Sequence, residues 1–313
     1  MKADYETQQT QWMAEREREE RFRLTGPYYH LYTAPIQDRV LISDKETRDI
    51  AITYLAIAAH ETDVSILVYA IMSNHFHVLL QGKLNRCLSF FDRFRYLFDL
   101  YLTRHNHSSL FKSVRPGCTE ITTVRQFRDE VAYVLRNPFV VRTDINPLNN
   151  EWTSAHLYFT PRREDPSGLR ANSLTIRQKR GIMKSTLLSV PDHWLFLDGH
   201  VNPVSFVDVE MVEYYFAHAR QFVFSLFRNT ERQVELAMSH GENPILPDEE
   251  LLPIVYRLCR DRYNSSGPYK MQDVQKKELA VELRRKYYCS TSQIARLTGL
   301  SLPSLESMFP SLQ

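Results

Sequence analysis

The chain has 313 residues, 43% of them hydrophobic, which supports real cores and allows two modest domains or one domain with a substantial extension. Four cysteines, Cys87, Cys118, Cys259 and Cys289, lie far apart with no Cys-x-x-Cys pair, which argues against a zinc ribbon and a secreted disulfide framework. No apolar run approaches a membrane span and the N-terminus is charged rather than signal-like, so a soluble protein of the reducing cytoplasm is expected.

The elements follow in chain order. Residues 15–23 are a mixed-charge run that predicts a short exposed helix or a frayed arm. Residues 27–34, with Tyr28, Tyr29, Leu31 and Tyr32, have the aromatic content of a strand. A loop and a helix over 44–60 come next, because Ile50, Ala51, Tyr54, Leu55 and Ala58 recur at helical spacing above the capping candidate Ser43. Residues 69–81 then read as two short apolar strands joined by a polar turn at Ser73 and Asn74. His75 and His77 are two apart, so both imidazoles leave one face of the sheet while Phe76 points to the other. Two converging imidazoles suit a metal, and they equally suit the wet face of an antiparallel sheet.

A helix over 85–104 carries Leu88, Phe91, Phe94, Phe98 and Tyr101 inward and Arg86, Arg93 and Arg104 elsewhere. Residues 110–121 read as a loop and strand, and 124–137 as a helix stopped by Pro138. On that helix Val124, Phe127, Val131, Val134 and Leu135 form one stripe, while Gln126, Glu130, Tyr133 and Asn137 fall on the other side. Tyr133 is therefore not needed as core filler, and Asn137 lies one turn along the same face. The pair reads either as a surface aromatic and a helix end, or as a hydroxyl and an amide oxygen addressing one point. The element order is a split βαβ pattern of α+β class, with a ferredoxin-like, largely antiparallel sheet, two helices on one face and the other face available to a ligand.

Beyond this, residues 161–184 are polar and basic, a linker whose cations either touch nucleic acid or only solvate. The segment from 191 is acidic, and its aromatics over 209–227 pack as a helical core without a site. Leu279, Ala280, Leu283 and Tyr287 mark one helix, 291–297 a second, Gly299 a turn, and 303–309 a third after the capping candidate Ser301. This is helix-turn-helix spacing, although 302–309 holds no Arg or Lys to read a base edge. The expected division is an arm over 1–24, a catalytic domain over 25–160, a basic linker over 161–190, a helical region over 191–265 and a helix-turn-helix unit over 266–313. The formal net charge of +2 hides a contrast. Residues 83–142 hold eleven Lys and Arg against five Asp and Glu, whereas 192–261 hold five against twelve. Positive charge beside the histidines points to a polyanionic substrate, or to solvated helix surfaces.

Met72-Ser73-Asn74-His75-Phe76-His77, Leu110-Phe111-Lys112, Tyr133-Val134-Leu135-Arg136-Asn137-Pro138 and Trp152-Thr153-Ser154 occur in that order. Together they resemble the REP-associated tyrosine transposases, single-tyrosine members of the HUH (His-hydrophobe-His) nuclease superfamily related to insertion-sequence transposases. Ser73 replaces the family's common Pro, and Ala155 and His156 stand where Ser and Tyr are usual.

The resemblance implies metal ligation by His75, His77 and Asn137, with Mg²⁺ or Mn²⁺ as the cofactor. It implies Tyr133 as the nucleophile, activated by the metal, by Glu130 as a nearby base or by solvent. Single-stranded or hairpin DNA is the implied substrate, with repeat palindromes as the family expectation. Arg86, Arg93, Arg104, Lys112, Arg115, Arg125, Arg128 and Arg136 are candidates to hold its backbone. The implied protein is a monomer or homodimer, with no membrane partner. The alternative is a domesticated, non-catalytic protein that binds hairpin DNA. An RNA-binding module is disfavoured because Lys/Arg-Gly-Phe is absent from the central strands.

Overall fold

The computed structural model describes residues 2–33, 42, 44–72, 75–105, 110–141, 148, 150–160, 168–185, 190–228, 240, 248–287 and 289–309. The fold is mixed α+β and divides into two compact units, one of residues 1–138 with 145–228 and one of 139–144 with 229–313. No described helix is long and apolar enough to cross a membrane.

The first unit is built on four strands, β1 (Tyr28–Thr33), β2 (Ser65–Ile71), β3 (Phe76–Gln81) and β4 (Pro116–Ile121), in the order β2-β3-β1-β4 with every pairing antiparallel. Registers align Ala70, His77, Tyr32 and Gly117 in one row across the sheet. Strand alternation then places Tyr28, His30 and Tyr32 on the face of His77, and Tyr29, Leu31 and Thr33 on the other.

Phe76 points to that second face and meets Phe91 and Phe94 of α3 (Leu84–Arg104) at centroid distances of 5.8 and 4.8 Å. Helix α2 (Lys45–Thr62) packs beside α3. Its cap is Asp44, whose carboxylate accepts the Thr47 N–H at 2.8 Å; the expected cap, Ser43, lies outside the described residues. Leu88 of α3 is 39% exposed instead of inward, because Cys87 and Phe90 take the buried positions beside it.

A smaller antiparallel sheet of β5 (Leu169–Arg170), β6 (Leu195–Leu197) and β7 (His200–Val201) packs on α2 together with helix α5 (Ile176–Met183). The Val201 N–H donates to Thr53 Oγ1 at 3.2 Å, and the Tyr54 hydroxyl donates to the Lys184 carbonyl at 3.2 Å. Covered on both sides, α2 is apolar almost all round, as a buried helix is.

Helix α1 (Lys2–Thr25) differs from the expected short helix or frayed arm. Phe22 near its end is 2% exposed and stacks on Tyr28 at 4.2 Å, in a cluster with Phe127 and with Tyr215 of α6 (Val209–Phe216). Helix α7 (Ala219–Arg228) follows α6. The Glu15 carboxylate also pairs with Arg128 at 2.8 Å.

Helix α4 (Val124–Val141) runs through Pro138 instead of stopping there. The ring removes one N–H in the last turn, where little helix remains to be broken. A larger correction concerns its two faces. Residues 130 to 136 are all buried, with Glu130 0% and Tyr133 5% exposed, because the stripe read as polar and outward lies on the His77 face of the sheet. That face is therefore covered by a helix and not open to a ligand along its length.

Residues 150–158 seal the β2 edge. The Ile71 N–H donates to the Trp152 carbonyl at 2.8 Å, the Tyr69 N–H to Ser154 Oγ at 3.1 Å, and the Tyr158 hydroxyl to the Leu67 carbonyl at 2.6 Å. An edge so paired offers no ladder for strand addition.

Among the described residues, the second unit contains α8 (Asp248–Tyr263), α9 (Asp273–Lys286), α10 (Thr291–Thr298) and α11 (Leu302–Met308) around Leu251, Val255, Cys259, Leu279, Leu283, Ile294, Leu297 and Leu305. Ser290 and Gln293 form a capping box at the start of α10, and Gly299 ends it at φ 73°, a left-handed conformation that glycine adopts without strain.

Candidate functional site

His77 sits at the centre of a buried polar chain. Its Nε2 is 3.0 Å from Asn137 Nδ2, its Nδ1 is 3.0 Å from His30 Nε2, and His30 Nδ1 is 2.8 Å from Glu130 Oε2. His30, His77 and Glu130 are all 0% exposed. With the Asn137 amide nitrogen as donor, His77 Nε2 accepts, so His77 Nδ1–H donates to His30 Nε2 and His30 Nδ1–H donates to the Glu130 carboxylate.

Each member is placed by its own element. Tyr32, not His30, is registered opposite His77, so His30 and His77 are diagonal neighbours whose rings span the gap at 5.2 Å between centroids. Glu130, Tyr133 and Asn137 recur at spacings of three and four on α4 and so reach the sheet as one row. The Met72 N–H donates to the His75 carbonyl at 2.9 Å, and the Phe76 N–H to Thr33 Oγ1 at 3.2 Å, which anchors the entry of β3 and with it both histidines.

Around this chain the aromatic rings converge. His75 lies 5.2 Å from His77 with their planes 83° apart. Tyr133 stands edge-on to His77 at 5.5 Å and lies 6.0 Å from His30. Tyr32 lies near-parallel to His77 at 6.2 Å. Tyr32 needs Gly117, because a Cβ at residue 117 would come within 2.3 Å of its ring.

The expected ligands His75, His77 and Asn137 and the expected nucleophile Tyr133 are thus within one neighbourhood. Glu130 is there too, with its carboxylate on His30. His30, Tyr32 and Gly117 were not expected. The signal for His30 was its alternation with Tyr28 and Tyr32 in an aromatic strand, but nothing local says that this strand lies beside β3.

The eight candidate cations separate. Arg86 is paired with Asp63, Arg93 with Glu61, and Arg128 with Glu15 and the Tyr215 carbonyl, so three are committed within the fold. Arg136 is 1% exposed, and burial removes it from any surface strand contact. Arg104, Lys112, Arg115 and Arg125 are exposed and make no ion pair among the described residues. Arg115 directly precedes Pro116, which is registered opposite Thr33, so it and nearby Lys112 sit at the histidine end of the sheet. Arg125 begins α4, two to three turns before Tyr133. At the histidine end of β2, Arg48 and Lys45 lie over the Trp152 ring at 4.6 and 5.6 Å, an unexpected basic and aromatic cluster.

No family model matches this chain, and no curated protein matches it. A solved structure, described as the REP-associated tyrosine transposase bound to a REP hairpin, aligns over 42% of this chain and 79% of its own at 11% identity, with a TM-score of 0.34. A likeness of that size settles neither family nor site.

Proposed function

We propose that this protein is a metal-dependent nuclease and transposase that cleaves and rejoins single-stranded DNA through a 5′-phosphotyrosine on Tyr133. The observation that carries the reading is the placement of Tyr133 and Asn137, one helical turn apart, against His77 and near His75. In this reading the sheet of order β2-β3-β1-β4 is ferredoxin-like, residues 25–160 form the HUH catalytic domain, and α10 with α11 forms a helix-turn-helix.

The residues fit a divalent cation. His77 Nε2 carries its lone pair toward Asn137 in the hydrogen-bonded order given above, and His75 adds a second imidazole beside it. Asn137, whose nitrogen faces His77 Nε2, would turn its amide to contribute the oxygen, and such a mixed set accepts Mg²⁺ or Mn²⁺. When bound, the ion would polarise the scissile phosphate and offset developing charge. Tyr133 attacks phosphorus through its hydroxyl oxygen, the bond to the 3′ oxygen breaks, and the phenolic proton is balanced by the proton the freed 3′-hydroxyl takes up. The ester keeps the bond energy, so rejoining by the 3′-hydroxyl needs no nucleotide cofactor. Glu130 Oε2 orients His30 through its hydrogen bond to Nδ1. Lys112, Arg115 and Arg104 with the Trp152 cluster would hold and stack the strand. Hairpin-forming repeats are the substrate class taken from the resemblance, and the cytoplasm the expected compartment, with the protein acting as monomer or homodimer.

One observation favours a second reading. Tyr133 is 5% exposed, so attack requires that DNA binding open a path to the hydroxyl. A non-catalytic hairpin-binding protein needs no such path.

Incubation with single-stranded hairpin oligonucleotides and Mn²⁺ or Mg²⁺, followed by a denaturing gel, distinguishes the two. The expected result is a covalent adduct that disappears in Tyr133→Phe and without metal. Tight binding with no adduct under any metal would overturn the catalytic reading in favour of the binding one.

A further inference from the structure

We infer that His30, held by Glu130, is a positioning residue that fixes the tautomer of His77 and so presents the His77 Nε2 lone pair to a ligand. The consequence for metal binding rests on the proposed function; the tautomer itself does not.

A neutral imidazole has one N–H and one lone pair, and a ligating histidine must offer the lone pair at the metal while its other nitrogen donates elsewhere. His77 has His30 Nε2 at 3.0 Å on one side and Asn137 Nδ2 at 3.0 Å on the other. With His30 neutral, the order of protons along the chain is set from the Glu130 end. A carboxylate only accepts, so Glu130 takes the His30 Nδ1–H at 2.8 Å, which leaves a lone pair on His30 Nε2. That lone pair accepts from His77 Nδ1–H, which leaves the lone pair of His77 on Nε2. At the other end the Asn137 amide can turn to suit either tautomer, and with its nitrogen 3.0 Å from His77 Nε2 it follows the lone pair that the Glu130 end leaves there.

His30, His77 and Glu130 are fully buried, and a reversed proton order would set the His30 Nδ1 lone pair against the Glu130 carboxylate, acceptor against acceptor. Backbone register holds the diagonal pair, since β1 and β3 are hydrogen-bonded neighbours through Tyr32 and His77. A buried polar chain with a merely structural role would contribute stability; this one also sets which nitrogen of His77 faces Asn137.

The test uses the full chain without metal and reads nitrogen-15 NMR of the histidine side chains. His77 is expected as the Nδ1–H tautomer, and a wild-type spectrum with the proton on Nε2 overturns the proposal without any variant having to fold. His30→Phe, which offers no acceptor, should shift His77 toward the Nε2–H form. His30→Gln, whose amide oxygen reaches about where Nε2 stood, should restore the native tautomer. Titration with Mn²⁺ followed by electron paramagnetic resonance then reads the consequence: roughly 10–100-fold weaker binding in His30→Phe, largely recovered in His30→Gln. Equal Mn²⁺ affinity in wild type and His30→Phe defeats the positioning role and leaves the metal reading intact. A native His77 tautomer in a protein that binds no Mn²⁺ defeats the metal reading and leaves the positioning role intact.

Discussion

His156 shows how one side chain in a sealing segment makes the fold sensitive to pH. Burial pushes its imidazole below the usual histidine range, against opposing pulls from the Thr153 and Asn150 backbone and from the charge of Glu151. His200 is shifted the same way, first by burial, with Asp49 opposing and Lys45 adding to it. Both groups therefore resist protonation in the folded state. As pH falls below about 6.5, the unfolded chain takes up protons that the folded chain refuses, so stability declines toward acid. Melting temperature is expected to fall between about pH 7.5 and about pH 5.5, and His156→Gln to flatten part of that fall. A His156→Gln profile parallel to wild type would remove His156 as a cause. At this same scale the sequence showed His75, His77, Tyr133 and Asn137, because their spacings of two and four are local. It did not show His30, whose partnership with His77 depends on β1 lying beside β3, a pairing across 47 positions.

Helices α1 and α4 show why element type was easier to read than element environment. Periodicity located α4, but the stripe of Glu130, Tyr133 and Asn137 was taken for a solvent face because polar residues usually are one. In the fold Glu130 and Tyr133 are buried and Asn137 half-buried against His30 and His77, and hydrogen bonds of Glu130 and Asn137 replace water. Helix α1 was harder still, because its charged run masks one anchoring residue. Phe22 is 2% exposed and touches Tyr28, Phe127 and Tyr215, three rings from three elements. Phe22→Ala is expected to cost about 3–5 kcal/mol through lost burial and the cavity left behind. Urea denaturation checks this, and a midpoint like that of wild type would mean that α1 is an undocked arm after all.

For the molecule as a whole, charge is distributed by segment, and the fold decides which charges are available. Residues 83–142 are rich in Lys and Arg, as the sequence displays, but Arg86 and Arg93 are balanced by Asp63 and Glu61, acids at the end of α2 that sequence position does not associate with them. Lys112 and Arg115 keep their charge free of ion pairs among the described residues, at the histidine end of the sheet. A polyanion drawn to that end releases counterions in proportion to the phosphates neutralised, and each contact on a single strand adds about 0.7 to the slope of log affinity against log salt. The double variant Lys112→Ala with Arg115→Ala is therefore expected to reduce the slope for a single-stranded hairpin loop by about 1.4. Arg86→Ala, which removes a cation already paired, should leave the slope close to that of wild type. Binding measured by fluorescence anisotropy across a salt series checks both. Equal slopes in wild type and the double variant would place the DNA path away from the start of β4, and a large loss in Arg86→Ala would show that the strand competes with Asp63 for that guanidinium.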